Sequence, residues 1–171
     1  MYENGDMRNI SKPEYPYLPT GGKILYIEPT SPYMRAAKDT ARKLSLDRTM
    51  PTGSVIVKDG HIVGRGANGS PYHEIHECER VRLGALTGQG YELCEGCHPK
   101  NHSEPRAAAD ALKRMTSLEG AVIYLWGHWW CCESCWNTLL QNGISIVYLM
   151  EGSEKLFNKS YPGNIVGQQF S

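Results

Sequence analysis

The sequence predicts a three-layer α/β domain, with a mixed sheet and helices on both of its faces. Three observations predict it. A stretch of amphipathic helical spacing precedes two short β-rich runs joined by Asp59-Gly60, the strongest hairpin signal in the chain. Two further helical stretches then alternate with the apolar runs "AVIYLWG" and "ISIVYLM", an order that implies right-handed crossovers and a parallel strand pair. Finally, 171 residues suit one well-packed core better than two.

Taken in order, residues 1 to about 30 are rich in Pro, Tyr, Gly and Asn without sustained periodicity, and read as an N-terminal arm rather than a core element. The domain proper runs from 31 to 150. In "SPYMRAAKDTARKLSLDR", Ser31 is placed to cap a helix and Pro32 to take its first position, while Met34, Ala37, Ala41 and Leu44 fall along one face. The hairpin "SVIVKDGHIVGRG" follows. The segment from about 70 to 101 holds Gly, His, Cys and Glu with no long regular pattern, and a loop of that length in a compact domain is functional or tied down by something. After it come a helix from Ser103 to about Met115, a strand, a helix from about Cys132 to Leu140, and a last strand, with Asn142-Gly143 as the stop between them. Residues 151–171 form a C-terminal tail in which Phe157, Tyr161 and Phe170 are candidates to pack on the domain or on a neighbouring subunit. There is no internal repeat.

Lys+Arg and Asp+Glu are equal at 18 each, which argues against tight, sequence-independent binding of nucleic acid through phosphates and leaves only a local basic groove open. No apolar run reaches the length of a membrane span, and the N-terminal stretch has neither an apolar signal core nor a twin arginine. A cytoplasmic location is expected. In that reducing compartment the six cysteines read as metal ligands or catalytic groups rather than disulfides.

They fall in two groups. "WWCCESCW" contains Cys132-x-x-Cys135, whose sulfurs can converge on one metal ion from the first turn of a helix, where the helix dipole is expected to lower thiolate pKa. "HSEPRAAADAL" offers His102 as a third ligand, and three protein ligands leave the fourth tetrahedral position to water. Glu104 then makes sense as a residue that does not bind the metal: the attacking water needs a proton acceptor and the leaving group a donor, and one carboxylate serves both. Ser103 is placed to cap the following helix, and Pro105 sits in its first turn, where a missing N–H costs little. A structural zinc site or a redox C-x-x-C would not account for Glu104. Cys131 reads as a buried neighbour, because a fourth thiolate would close the water position. In the other group, Cys78, Cys94, Cys97 and His98 suffice to fill a closed structural zinc site, with His73 or His76 as substitutes; the alternative is reduced thiols among surface histidines.

The H-x-E at His102–Glu104 together with Cys132-x-x-Cys135 resembles the zinc-dependent cytidine and deoxycytidylate deaminase superfamily over roughly residues 31 to 150, and within it the dCMP deaminases above all. The resemblance implies a cytidine deaminase-like three-layer fold with a mixed five-stranded sheet. It further implies zinc-dependent hydrolysis of dCMP to dUMP and ammonia, with Glu104 catalytic and His102, Cys132 and Cys135 on Zn2+. A second, structural zinc in the insertion and a homo-oligomer are also implied. In "GRGANGSP", Asn68 stands where the family holds the substrate sugar hydroxyl, and the Thr52-Gly53-Ser54 turn where it contacts the pyrimidine. Some members answer to dCTP and dTTP as effectors; no residue here points to that. Two places depart from the family pattern: Cys131 replaces the usual Pro, and "HAEMNA" becomes "HSEPRA". Arg106 in that motif either compensates a phosphate or, as expected here, is a solvated helix residue. Two rival functions follow from the same residues: a deaminase acting on cytosine or adenine in single-stranded DNA or RNA, with Trp129 and Trp130 stacking on bases, and a zinc-stabilised binding module without turnover.

Overall fold

In the computed structural model, which describes residues 13–86 and 88–171, the runs flanking Asp59-Gly60 pair antiparallel as β2 (Gly53–Lys58) and β3 (His61–Ala67). Asp59 at φ +50° and Gly60 at φ +77° supply the two left-handed positions of a tight hairpin turn. β2 also pairs antiparallel with β4 (Val122–Trp126), and β4 pairs parallel with β5 (Ile146–Met150). A fifth strand, β1 (Lys23–Ile27), lies parallel to β5 and completes the order β1-β5-β4-β2-β3. This corrects the expectation of an arm up to residue 30. β1 is a five-residue edge strand whose "KILYI" is half-buried rather than cleanly alternating, so its period-2 signal is weak. Residues 1–12 of the expected arm lie outside the described residues.

Alternation along the central strands assigns each face. Val55 and Val57 of β2 pack with Met34, Ala37 and Ala41 of α1 (Pro32–Leu44), whereas Ile56 joins Ile123, Leu125, Val147 and Leu149 on the other side. There they meet Ala107, Ala108 and Ala111 of one helix and Trp136 and Leu139 of another. These helices close one face of the sheet. With α2 (Tyr72–Ile75) and α3 (Glu79–Arg82) as single short turns in the insertion, they are α4 (Ser103–Leu112) and α5 (Glu133–Gln141). The approach of α4 to β3 is set by two glycines: a Cβ on Gly64 would stand 2.4 Å from the Ala107 carbonyl oxygen, and one on Gly66 2.3 Å from the Ala107 nitrogen and the Ser103 carbonyl oxygen. The start of α4 is thereby pinned against the sheet.

The C-terminal segment is less of a tail than its composition suggested. It opens with α6 (Ser153–Phe157), buries Phe157 edge-on against Trp126, and stacks Phe170 on the same indole. No helix among the described residues is long and apolar enough to cross a membrane.

Candidate functional site

α4 and α5 begin side by side beyond the end of β4, and their first residues carry the expected cluster. His102 and Cys132 are the N-cap residues of the two helices, and Cys135 lies in the first turn of α5. His102 Nδ1 is 3.3 Å from Cys135 Sγ and 3.5 Å from Cys132 Sγ. All three ligand atoms fall within 4.8 Å of one another, a spacing that a single tetrahedral ion bridges. Cys131 is fully buried and does not join them. His102, not Ser103, takes the cap position; Ser103 is the first helical residue, and its hydroxyl bonds the Ser54 hydroxyl at 2.7 Å and donates to Glu104 Oε2 at 3.0 Å. That corrects the expected capping role and gives Ser103 a different one, tying Glu104 to β2.

The thiols also behave differently from the expectation that a helix N-terminus lowers their pKa. Cys132 is pushed up by its contact with Cys135, then by burial; Cys135 is pushed well up by its contact with Cys131, with burial adding to it; burial raises Cys131 to about 12. The dipole of one helical turn is outweighed by three crowded sulfurs beside a carboxylate. A cation relieves that crowding, and two thiolates with one imidazole are a donor set that suits zinc. The residues present therefore fit a zinc ion.

A cavity of about 210 Å³ opens over this cluster and is lined by His102, Cys132, Glu104, Thr52, Asn68 and His128 among others. Glu104 is only 6% exposed, which keeps its carboxylate at the cavity floor rather than in solvent. Thr52 lines the cavity, but Gly53 does not: its missing Cβ would stand 2.2 Å from the Ala37 carbonyl oxygen, so this glycine admits α1 to the opposite face of the sheet. Asn68 is more constrained than a free ligand residue. Its Oδ1 accepts from the Thr52 N–H at 2.8 Å and the Ser45 hydroxyl at 2.6 Å, and its Nδ2 donates to the Met50 carbonyl at 2.9 Å. The second Nδ2 hydrogen meets Asp47 Oδ2 at 3.5 Å, the longest of these bonds, so Asn68 fixes the cavity wall first. Arg106 is not the solvated residue expected. It donates to the Ala67 carbonyl at 2.9 Å and to Asn101 Oδ1 at 3.0 Å, joining the end of β3 to the residue preceding His102.

Other lining residues escaped the sequence reading. His128 sits in the β4–α5 connection, Arg80 in the insertion, and Lys159 beyond α6. Only their proximity in the fold identifies them, since none belongs to a spaced motif. Trp130 is 4% exposed and forms part of the wall, while Trp129 does not line the cavity, so neither is a free stacking platform.

The insertion forms a second cluster, with one change from expectation. His73, Cys78, Cys94 and Cys97 place one ligand atom each within 4.8 Å of one another. His73 Nε2 lies 3.1 Å from Cys94 Sγ and Cys78 Sγ 3.6 Å from Cys97 Sγ. His98 is elsewhere: its Nδ1 accepts the Lys100 N–H at 3.1 Å and caps the 3-10 turn Pro99–Asn101. His76 stacks on Tyr72 instead. Adjacent to Cys97 in sequence, His98 looked like a ligand, but the turn reverses the chain there and His73, twenty-one residues before Cys94, closes the group. Asn101 links the two clusters, since its Nδ2 donates to the Glu95 and Gly96 carbonyls of the Cys94–Cys97 loop while its Oδ1 accepts from Arg106.

Comparison with known proteins bears on the whole arrangement. Among solved structures, this chain is similar to a dCMP deaminase from the cyanophage S-TIM5 in apo form (23% identity, 69% of this chain and 80% of that one, TM-score 0.47). It is also similar to a guanine deaminase from Bacillus subtilis (19% identity, 75% and 70%, TM-score 0.43). A structure from work on A-to-I editing by tRNA:A34 deaminases matches comparably (20% identity, 69% and 75%, TM-score 0.44). The comparison with curated proteins gave no match. The model of the cytidine and deoxycytidylate deaminase zinc-binding region matches residues 27–151, from the end of β1 to the end of β5, and the chain belongs to that family.

Proposed function

We propose that the chain hydrolyses dCMP to dUMP and ammonia, with His102, Cys132 and Cys135 as zinc ligands and Glu104 as the proton-transfer residue. The observation that carries this reading is the convergence of three metal-ligand atoms beside a buried carboxylate that is not one of them. Zinc held by those three side chains would lower the pKa of a water in its remaining position. Glu104 takes a proton from the attacking water as its oxygen bonds C4 of the cytosine ring, and passes one to N3. Glu104 then takes the remaining proton of the new C4 hydroxyl and hands it to the amine; as C4=O forms the C4–N bond breaks, and the amine leaves as ammonia. Ser103, donating to one oxygen of Glu104, holds the carboxylate in place for both transfers.

The nucleotide's other parts have candidates as well. Asn68 can give up its long bond to Asp47 for the sugar hydroxyl, Thr52 borders the ring, and Lys159 at the cavity edge supplies a cation for the phosphate. Gly53 shapes the fold rather than the substrate contact. In the insertion, a second zinc on His73, Cys78, Cys94 and Cys97 has a structural role, supported by a four-ligand set that leaves no position for water. The protein acts in the cytoplasm as a homo-oligomer; the exposed Ile75, Val81, Leu83 and Leu86 of the insertion offer an apolar surface for self-association.

Ammonia release tests the substrate reading. The purified zinc-loaded protein is compared on dCMP, deoxycytidine, guanine and an adenine-containing single-stranded RNA. Turnover is expected on dCMP above the rest, and Lys159→Ala should narrow the preference for dCMP over deoxycytidine. Preferred turnover of guanine or of the oligonucleotide would replace dCMP as substrate, and the absence of ammonia from all four would contradict the enzyme reading for these compounds.

A further inference from the structure

His128 has no place in the mechanism above, yet the fold takes trouble over its position. Gly127, at φ +97°, brings the chain so close to the segment leading into β2 that a Cβ there would stand 2.3 Å from the Pro51 carbonyl oxygen. The turn that follows folds back on the His128 ring: Nδ1 accepts the backbone N–H of Trp129 at 3.1 Å and of Trp130 at 3.4 Å. A ring nitrogen that accepts cannot carry the proton, so in the neutral imidazole the proton is on Nε2. Nε2 makes no hydrogen bond to any of the described residues, and the ring lines the same cavity as Glu104 and His102, edge-on to Trp130. Burial pulls the imidazole down to about 4; Glu104 nearby opposes this and His102 adds to it, and burial prevails, so the ring stays neutral at working pH.

A neutral imidazole with its acceptor side occupied is a donor of one hydrogen bond and nothing else. Within a cytosine ring the choice of acceptor is short. The amine at C4 leaves, N3 receives its proton from Glu104, and the single remaining acceptor on the ring is the carbonyl oxygen at C2. We infer that His128 is a specificity-determining residue whose Nε2–H donates to the ring carbonyl flanking the protonated nitrogen, and so selects rings that carry that carbonyl.

Chemistry makes the selection sharp in one direction. In cytosine the reacting carbon and a carbonyl carbon flank the same ring nitrogen. Guanine, reacting at C2, has the same arrangement around N1. Adenine, reacting at C6, presents only a C–H at the equivalent place and would leave the donor unpaired in a cavity, which a hydrogen-bonding site rejects strongly. A phosphate is the less suitable partner, because phosphate binding would favour the charged imidazolium that this environment disfavours. The inference rests on the reading of the site as a cytosine nucleotide deaminase and names the contact that makes it one.

The test exchanges one atom on each side of the contact. Replacing the C2 oxygen of dCMP by sulfur weakens acceptance without removing the reacting amine, and His128→Asn keeps a side-chain acceptor for the following backbone N–H groups while removing Nε2. For the parent, kcat/KM for dCMP should exceed that for 2-thio-dCMP by about tenfold, the worth of one hydrogen bond. In His128→Asn that ratio should fall toward one, with zinc content and thermal midpoint unchanged. His128→Gln, whose longer side chain carries its amide donor nearer the place of Nε2 than asparagine does, should recover part of the ratio; it also carries the test should the asparagine variant not fold, since a donor displaced from its place lowers the ratio as well. An oxygen-to-sulfur ratio of one in the parent, or a ratio unaltered by the substitutions, overturns the assignment. Turnover of neither compound by the parent would overturn the dCMP reading itself and this contact with it, whereas turnover of dCMP with an unaltered ratio removes the contact alone.

Discussion

The two cysteine clusters are close in the molecule and opposite in construction. The His102, Cys132 and Cys135 group is set on the first turns of two helices, and those helices are pressed against a sheet by glycines and apolar side chains. The His73, Cys78, Cys94 and Cys97 group has no such frame: among the described residues its segment offers two four-residue helices and two 3-10 turns. The difference teaches how ligand number and scaffold divide the work. Where the sheet already holds the geometry, three ligands suffice and a position is left for chemistry. Where nothing else holds the loop, the proposed second zinc would draw on four ligands, a closed set suited to a structural rather than a catalytic use.

Breaking each cluster in turn sharpens this contrast. The largest effect is expected from Cys135→Ser, which removes a thiolate from the three-ligand group: the protein should bind about one zinc fewer and release no measurable ammonia, yet keep its far-ultraviolet dichroism because the sheet frame is untouched. Cys97→Ser should do the reverse. Here the fold outside the insertion persists, limited proteolysis cuts between about residues 72 and 101, and activity falls only in part, through Asn101 and the loop it holds. Equal proteolytic resistance of the variant and the parent would show that the loop does not depend on its metal.

A smaller effect is expected from the scaffold itself. Gly66→Ala places a methyl against the backbone of α4 at 2.3 Å and should cost roughly 1–3 kcal/mol in denaturant unfolding, with a loss of activity as His102 and Glu104 move with the helix. The least is expected from Asp110→Asn. Asp110 Oδ2 accepts the Arg65 N–H of β3 at 2.9 Å; partial burial opposes its ionisation, but that bond and Arg114 hold its carboxyl below the usual range. A carboxylate with a depressed folded pKa contributes stability above its unfolded value, near 4, and loses it as pH falls further. The variant should therefore be less stable than the parent by under about 1 kcal/mol at pH 7, and the gap should close toward pH 3.

Much of this was legible in the sequence, for reasons that differ by element. The hairpin, α1, α4, β4, α5 and β5 carry periodicity or punctuation strong enough to read locally, and the triad His102, Cys132 and Cys135 lies in two short motifs whose convergence the strand order enforces. β1 was lost to the arm because an edge strand of five residues buries too little to show a pattern. His73 was passed over for His98 because adjacency in sequence says little where a turn reverses the chain. Gly53 was read as a substrate contact, although a strand residue's face follows from its alternation with Ser54, which points to α4. Arg106 was taken for a solvated residue because its two carbonyl acceptors come from β3 and from the end of the insertion, a meeting that only the tertiary fold supplies. His128 and Lys159 belong to no motif at all; their meaning comes from the cavity they share.

The central claim is that the three-ligand site is an open zinc centre in which Glu104 moves protons without binding the metal. Measuring zinc content and ammonia release from dCMP for the parent and for Glu104→Gln tests it most directly. Zinc content should be unchanged and turnover should fall roughly 10²–10⁴-fold, the worth of a general acid–base residue. Loss of zinc in the variant would make Glu104 a ligand, and unchanged turnover would make it a bystander; either result contradicts the account.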